Sequence, residues 1–238
     1  MEPDFSNIFE KYEALVKEVD AAARAIAERH PDEVKCVKHC SDCCHAVFDL
    51  SLIEAMYINK KFNEAFSGKE RSEILDRADE SEREMYKAKR DANKAVQEGR
   101  DPAEVLEEIG KLRVRCPLLA EDDLCLLYDV RPVTCRLYGL PLNIGGKGRT
   151  CGLSGFEAGG KYPTVNVDRI NERLAALAEE FVSGIKTRHT RMADILVPVG
   201  MALMNTYDEE YLGTREDKPK SGQGPQGPYA RTIRGGGR

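Results

Sequence analysis

Cys36-Val37-Lys38-His39-Cys40-Ser41-Asp42-Cys43-Cys44 sets four thiols within nine residues, and Cys116, Cys125, Cys135 and Cys151 follow only after a long intervening segment. If the nine residues are helical, steps of about 100° carry Cys36, Cys40, Cys43 and Cys44 onto one narrow face, as positions i, i+4, i+7 and i+8. A core stripe would use such a face too, because free cysteine packs as a small hydrophobe. Lys38, His39, Ser41 and Asp42 lie between the thiols, however, and the concentration of sulfur argues for metal binding.

A chain of 238 residues with 41% hydrophobic content can bury one good core or two small ones. Met1-Glu2-Pro3-Asp4-Phe5 is acidic and runs into an amphipathic pattern, so no export leader is expected. The longest nearly apolar run, Ile195 to Met204, is too short to span a bilayer and contains Pro198, so no membrane role is expected. Without a secretory signal, eight cysteines read as thiolates in a reducing cytosol rather than as a disulfide framework. The formal charge of -5 divides unevenly, with +4 on residues 213–238 and -9 on the rest. An acidic body argues against general nucleic-acid binding.

The fold class predicted is mainly α, a metal-pinned helical domain with a small β-hairpin and a protruding charged helical hairpin. Phe9, Tyr12, Leu15, Val16, Val19, Ala23 and Ile26 recur at three- and four-residue steps and predict a helix from Ser6 to about Arg29, ended by His30-Pro31. Ser51 and Glu54 form a capping-box pattern, so a second helix starts at Leu52, with Leu50 placed to staple its first turn. From Glu70 to Glu98 a thin seam of Ile74, Ala78, Ser81, Met85, Ala88, Ala92 and Ala95 marks one arm of an exposed hairpin. Asp101-Pro102 caps the other arm, with Val105, Leu106, Ile109 and Leu112 inward.

Cys116-Pro117-Leu118-Leu119, the acidic turn Glu121-Asp122-Asp123 and Leu124-Cys125-Leu126-Leu127-Tyr128 read as a short hairpin. Asp129 to Arg136 reads as a turn into one or two helical turns closed by Gly139. Gly145, Gly146 and Gly148 read as a flexible loop delivering Cys151, without the strand-turn-helix context of a phosphate-binding loop. Asp168 is read as the cap of a helix with Ile170, Leu174, Leu177, Phe181 and Ile185 inward. A last helix runs from about Ala193 to Leu212, kinked or started by Pro198. The expected organisation is a single domain over 1–212, with a metal core at 36–59 and 113–152, a helical insertion at 60–112 and C-terminal helices at 168–212. Residues 213–238 read as a flexible, basic, Gly/Pro-rich tail, whose arginine-glycine end faintly suggests RNA contact.

The sequence Cys36, Cys40, Cys43-Cys44, Cys116-Pro117-x-Leu119, Cys125-x-x-Tyr128, Arg131-Pro132-x-x-Cys135-Arg136 and Cys151 resembles the YkgJ-type cysteine-cluster family, described as a zinc- or iron-chelating domain. That family's pattern is a CxxCxxCC group followed by four separated cysteines and an Arg-Pro-x-x-Cys-Arg core. Here the first gap is three residues rather than two. The resemblance covers about Cys36 to Cys151 and implies metal chelation without implying a reaction.

Thiolate chemistry points the same way. Soft sulfur ligands select zinc, Cu(I) or iron-sulfur clusters, and about four are needed per site, so eight allow two sites. Consecutive Cys43 and Cys44 either divide between adjacent sites, or one ligates while the other packs. A metal site with four thiolates carries about -2 and needs cations nearby. Lys35, Lys38, Arg113, Arg115, Arg131, Arg136 and Arg149 all flank cysteines, and Arg131 and Arg136 are the first choices for contacts to the bound group. His39 is a candidate replacement ligand; His30, His45 and His189 read as structural. The irregular spacings lack paired CxxC knuckles and favour a [4Fe-4S]-type cluster in at least one site, serving electron transfer, redox sensing or maturation of another enzyme. The alternative is a structural zinc module whose charged helical hairpin binds a protein partner. No catalytic set is recognisable, although a three-Cys cluster with an open iron position would leave room for catalysis.

Overall fold

The structure, a computed structural model, describes residues 4–157 and 159–214. In chain order the helices are α1 Ser6–Arg29, α2 Leu52–Ala65, α3 Gly68–Gln97, α4 Pro102–Gly110, α5 Val133–Leu137, α6 Val167–Gly184 and α7 Val199–Met204. The strands are β1 Asp49–Ser51, β2 Leu142–Ile144, β3 Lys147–Arg149, β4 Val165–Asn166 and β5 Leu196–Pro198. The protein is mainly helical, as its periodicity predicts.

Ser51 and Glu54 start the central helix. The Ser51 hydroxyl accepts the Glu54 amide at 3.4 Å, and the Glu54 carboxylate accepts the Ser51 amide at 3.1 Å. The capping box thus begins α2 at the expected residue. Leu52, Ile53, Ala55, Met56, Ile58 and Phe62 are buried on all sides of α2. A helix apolar around its circumference must sit inside the molecule. α1 covers it with Ile8, Phe9, Tyr12, Leu15, Val19 and Ile26, and α6 adds Leu174, Ala178 and Phe181.

The C-terminal region departs from the single long helix expected. After a 3-10 turn at Met192–Asp194, β5 pairs antiparallel with β1, and Pro198 then starts the short α7. α7 owes its place to two side chains from other helices. The Glu82 side chain of α3 packs close against Gly200 at its start and faces the Gly200 and Met201 amides. The buried Asn59 of α2 donates to the carbonyls of Ala202 at 2.9 Å, Leu203 at 3.3 Å and Asn205 at 3.0 Å at its end. Replacing Asn59 with Ala should therefore cost about 2–3 kcal/mol, because buried carbonyls would lose their donor. Urea denaturation checks this, and a loss under about 0.5 kcal/mol would rule out the buried capping role.

α7 also changes the reading of the charged arm. Ile74, Ala78, Ser81 and Met85 of α3 are buried, with α7 packed on this seam, so the first half of α3 is anchored rather than protruding. The second half pairs with α4, which Asp101 caps through the Ala103 amide at 2.7 Å. Val105 of α4 is buried, but Leu106 is 69% exposed, contrary to the inner position expected.

Around the second thiol group, Leu119 bridges Cys125 across a tight turn with Asp123 at φ 61°, which supplies the small hairpin predicted there. The glycine loop before Cys151 is ordered as a hairpin, with β2 antiparallel to β3. Gly145 at φ 57° and Gly146 at φ 76° supply the two left-handed positions of its turn, which glycine adopts without steric cost. β4 adds parallel to β2 and leads into α6. Asn166, not Asp168, caps α6 through the Arg169 amide, while Asp168 holds the Gly145 amide of the hairpin. The tail prediction lies almost wholly outside the described residues.

Candidate metal centre

Cys36 to Cys44 is not helical. His39 takes φ 69°, the Cys40 amide turns back to the Val37 carbonyl at 3.0 Å, and only Asp42–His45 forms a 3-10 turn. The carbonyls at the end of this segment accept from a partner strand-like stretch instead. Val114 donates to the His45 carbonyl at 3.1 Å and Cys116 to the Cys44 carbonyl at 2.7 Å. Turns and these cross-chain bonds, not a helix face, bring the early thiols to the later ones.

All eight cysteines are free thiols. Cys40, Cys43, Cys44, Cys116, Cys125 and Cys135 line one cavity of about 480 Å³. Its far wall is made by Ile58 of α2, Ser81, Glu82 and Met85 of α3, and the start of α7. Cys36 and Cys151 stand outside that lining, on the Asp42 side. The Cys36 sulfur lies 3.2 Å from the Tyr138 carbonyl oxygen, and Cys151 Sγ lies 3.4 Å from Asp42 Oδ2. A Cβ at Gly139, where φ is 95°, would fall 2.2 Å from the Cys36 sulfur, so this glycine makes room for the thiol.

The thiols burden one another electrostatically. Burial, reinforced by Cys125 and Cys43, pushes Cys116 up to about 12, and burial raises Cys125 and Cys135 as well. Although Cys36 is exposed as a residue, the desolvation of its tucked sulfur, with Cys40 and Cys151 beside it, pushes its thiol up to about 11. In the adjacent pair, the hydrogen bond from Cys44 draws Cys43 down, and Cys44 keeps its proton. Such a group ionises together only when a cation takes up the charge. Among the described residues, no three His, Cys, Asp or Glu side chains already stand around one point as metal ligands. The donor set therefore fits a soft metal in chemistry, while coordination requires side-chain rotation to close it.

The flanking cations separate clearly. Arg131 lines the cavity, stacks its guanidinium 3.5 Å from the centre of the Tyr128 ring, and keeps a buried Nε with no hydrogen-bond partner. It lowers the cost of charge on Cys43, Cys125 and Cys135. Arg136 does not share that position. Its guanidinium is occupied by Asp20 of α1, at 2.9 and 2.7 Å, and by the carbonyls of Arg131 and Asp129. Its planar fork fastens the turn before α5 to α1, which corrects the expectation that it faces the thiols. Arg113 is held by Asp42, and Arg115 by the carbonyls of Leu119 and Ala120. His39 borders the cavity with Nδ1 2.7 Å from the Asp122 carbonyl oxygen. His45 holds the Ser41 carbonyl at 3.1 Å, and His30 packs on Phe156 and Tyr162, both structural as expected.

Two supports of the site have no signal in local sequence. Glu54, beyond its cap, accepts the Val133 amide at 3.0 Å and so fixes the start of α5, which carries Cys135. Asp42 joins Arg113, Tyr138 and Cys151 in one network. Both contacts link residues about 80 or more positions apart, which no periodicity encodes.

No curated protein and no solved structure matches this chain. A family described as "CxxCxxCC: Putative zinc- or iron-chelating domain" matches residues 35–152, a span that begins just before Cys36, ends just after Cys151 and includes every thiol described above. Residues 35–152 thus match a cysteine-cluster family described as a "putative zinc- or iron-chelating domain".

Proposed function

We propose that the eight cysteines hold an iron-sulfur centre of the [4Fe-4S] type in at least one site, for electron transfer, redox sensing or maturation of another protein. One observation carries this reading. Six thiols surround a cavity of about 480 Å³ that also receives the unpartnered Nε of Arg131. Structural zinc is normally enclosed by its four ligands and needs no such chamber. A cluster with inorganic sulfide is larger, and its net negative charge calls for an N-H donor of the Arg131 kind.

Anaerobic purification followed by iron, zinc and acid-labile sulfide analysis tests the proposal. Iron and sulfide in near-equal amounts with visible absorption are expected. Colourless protein with stoichiometric zinc and no sulfide would overturn it and leave the zinc-stabilised interaction module. Replacing Arg131 with Gln should weaken retention of the bound group about 10–100-fold, without changing the far-UV spectrum. Unchanged retention in a chelator competition would remove Arg131 from the site.

A further inference from the structure

The cavity beside the thiols has a wall that a metal does not use. Phe48 leads into β1, Pro198 stands across from Asp49 in the β1–β5 pair, and Val199 starts α7. With Ile58 of α2 and Met85 of α3 they give this end of the cavity an apolar surface. Hydrocarbon offers nothing to a metal ion or a cluster, whose protein ligands are sulfur, nitrogen and oxygen. The volume of about 480 Å³ lies within the range of about 300–1,000 Å³ of small-molecule sites, which join an apolar lining to a few placed polar groups.

The polar groups of this wall are not equally engaged. The Ser81 hydroxyl donates to the Ala78 carbonyl at 2.9 Å, and Asp49 pairs with Lys89 at 3.6 Å. Glu82 remains. It is half-buried, faces the Gly200 and Met201 amides, and forms no ion pair among the described residues. A carboxylate has about four acceptor positions, so two amides leave room for a further donor. A negative charge drawn out of water favours a cation brought to it.

From this arrangement we infer that the α3–α7 end of the cavity binds a small organic amine, with its ammonium group on Glu82 and its apolar body along Phe48, Ile58, Met85 and Val199. The thiols and Arg131 line the rest of the same cavity, so the amine lies beside the metal centre without taking any of its sulfur ligands. An anion of the same shape would set its charge against Glu82. The assignment goes beyond the metal reading and stands on a different wall.

Calorimetric titration of the full-length protein as purified tests it, with three eight-carbon probes at pH 7.5: octylamine, octanoate and octanol. Octylamine should bind wild type at one equivalent and at least about tenfold more tightly than octanoate. Glu82→Gln keeps an acceptor for the two amides and should remove that preference, with octanol binding unchanged. Val199→Phe should fill the apolar end and abolish octylamine binding. No octylamine binding in wild type, equal affinity for octylamine and octanoate, or full binding by Val199→Phe would overturn the assignment. A parallel loss of octanol binding in Glu82→Gln would overturn it too, by showing that Glu82 shapes the wall rather than pairs the amine. Iron and zinc are measured on the same samples: wild type that binds octylamine but holds neither metal would end the metal reading and leave the amine site standing, while metal-loaded wild type that ignores octylamine would do the reverse.

Discussion

Chelation of the bound metal, under anaerobic conditions, should lower the unfolding free energy by at least about 5 kcal/mol. Binding to structural metal sites in small domains contributes about 10–16 kcal/mol, and part of that survives in a protein with its own core. The core here is substantial: α1, α2 and α6 bury large side chains without help from the thiols. The thiol segments differ. Between Val34 and Phe48 the only regular element is the 3-10 turn at Asp42–His45, and from Arg113 to Leu127 there are only isolated bridges. The amides of Val114 and Cys116 should gain hydrogen exchange most on chelation, because their bonds span two segments that the metal ties together. Amides in the middle of α2 should change least below the global unfolding limit. A melting temperature unchanged by chelation would show that the segments hold themselves and that the metal is cargo rather than a staple.

Helices with large apolar side chains at regular steps were legible in the sequence, and so were caps with local chemistry. α1 and α2 lie where Phe9, Tyr12, Leu15 and the Ser51-Glu54 pair predict them. The misreadings fall where long-range contacts override local pattern. Leu196-Val197-Pro198 lies in an apolar run that suits a helix, yet the chain extends there because β1 offers an edge to pair with. Gly145-Gly146 carries a two-residue hairpin signal, but the strands beside it are only three residues each and give little alternation to find. At the centre itself, the number and order of thiols identify the chemistry, while their helical-face geometry does not exist. His39 in the left-handed region breaks it, and convergence is achieved by backbone pairing with residues 113–116. Arg131 and Arg136 look equivalent in sequence, five residues apart around Cys135. Asp20, on a helix more than a hundred residues away, takes Arg136 and leaves Arg131 for the cavity.

Glu54→Ala should cost about 4 kcal/mol, a large effect for one substitution. The carboxylate is almost wholly buried and accepts the Ser51 amide and hydroxyl on one oxygen and the Val133 amide on the other, with the Tyr12 hydroxyl beside it. Truncation removes the α2 cap, worth about 1 kcal/mol, and orphans buried N-H groups at about 1–3 kcal/mol each. Glu54→Gln keeps the shape but turns an NH₂ toward one of those donors, so a loss of about 2 kcal/mol is expected. The two carboxyl states can be told apart by pH. Burial raises the Glu54 pKa in the folded protein, against the smaller pull of its hydrogen bonds. A carboxyl raised in this way contributes most below its unfolded value and loses that contribution as pH rises through the folded value. Gln does not titrate, so the stability gap between wild type and Glu54→Gln should narrow across that interval in urea titrations with the metal saturating. If the gap widens instead, the Val133 and Ser51 amides outweigh desolvation and the carboxylate is held ionised. Either result bears on the metal centre, because the same oxygen that accepts Val133 sets the first turn of α5, and Cys135 rides on that turn.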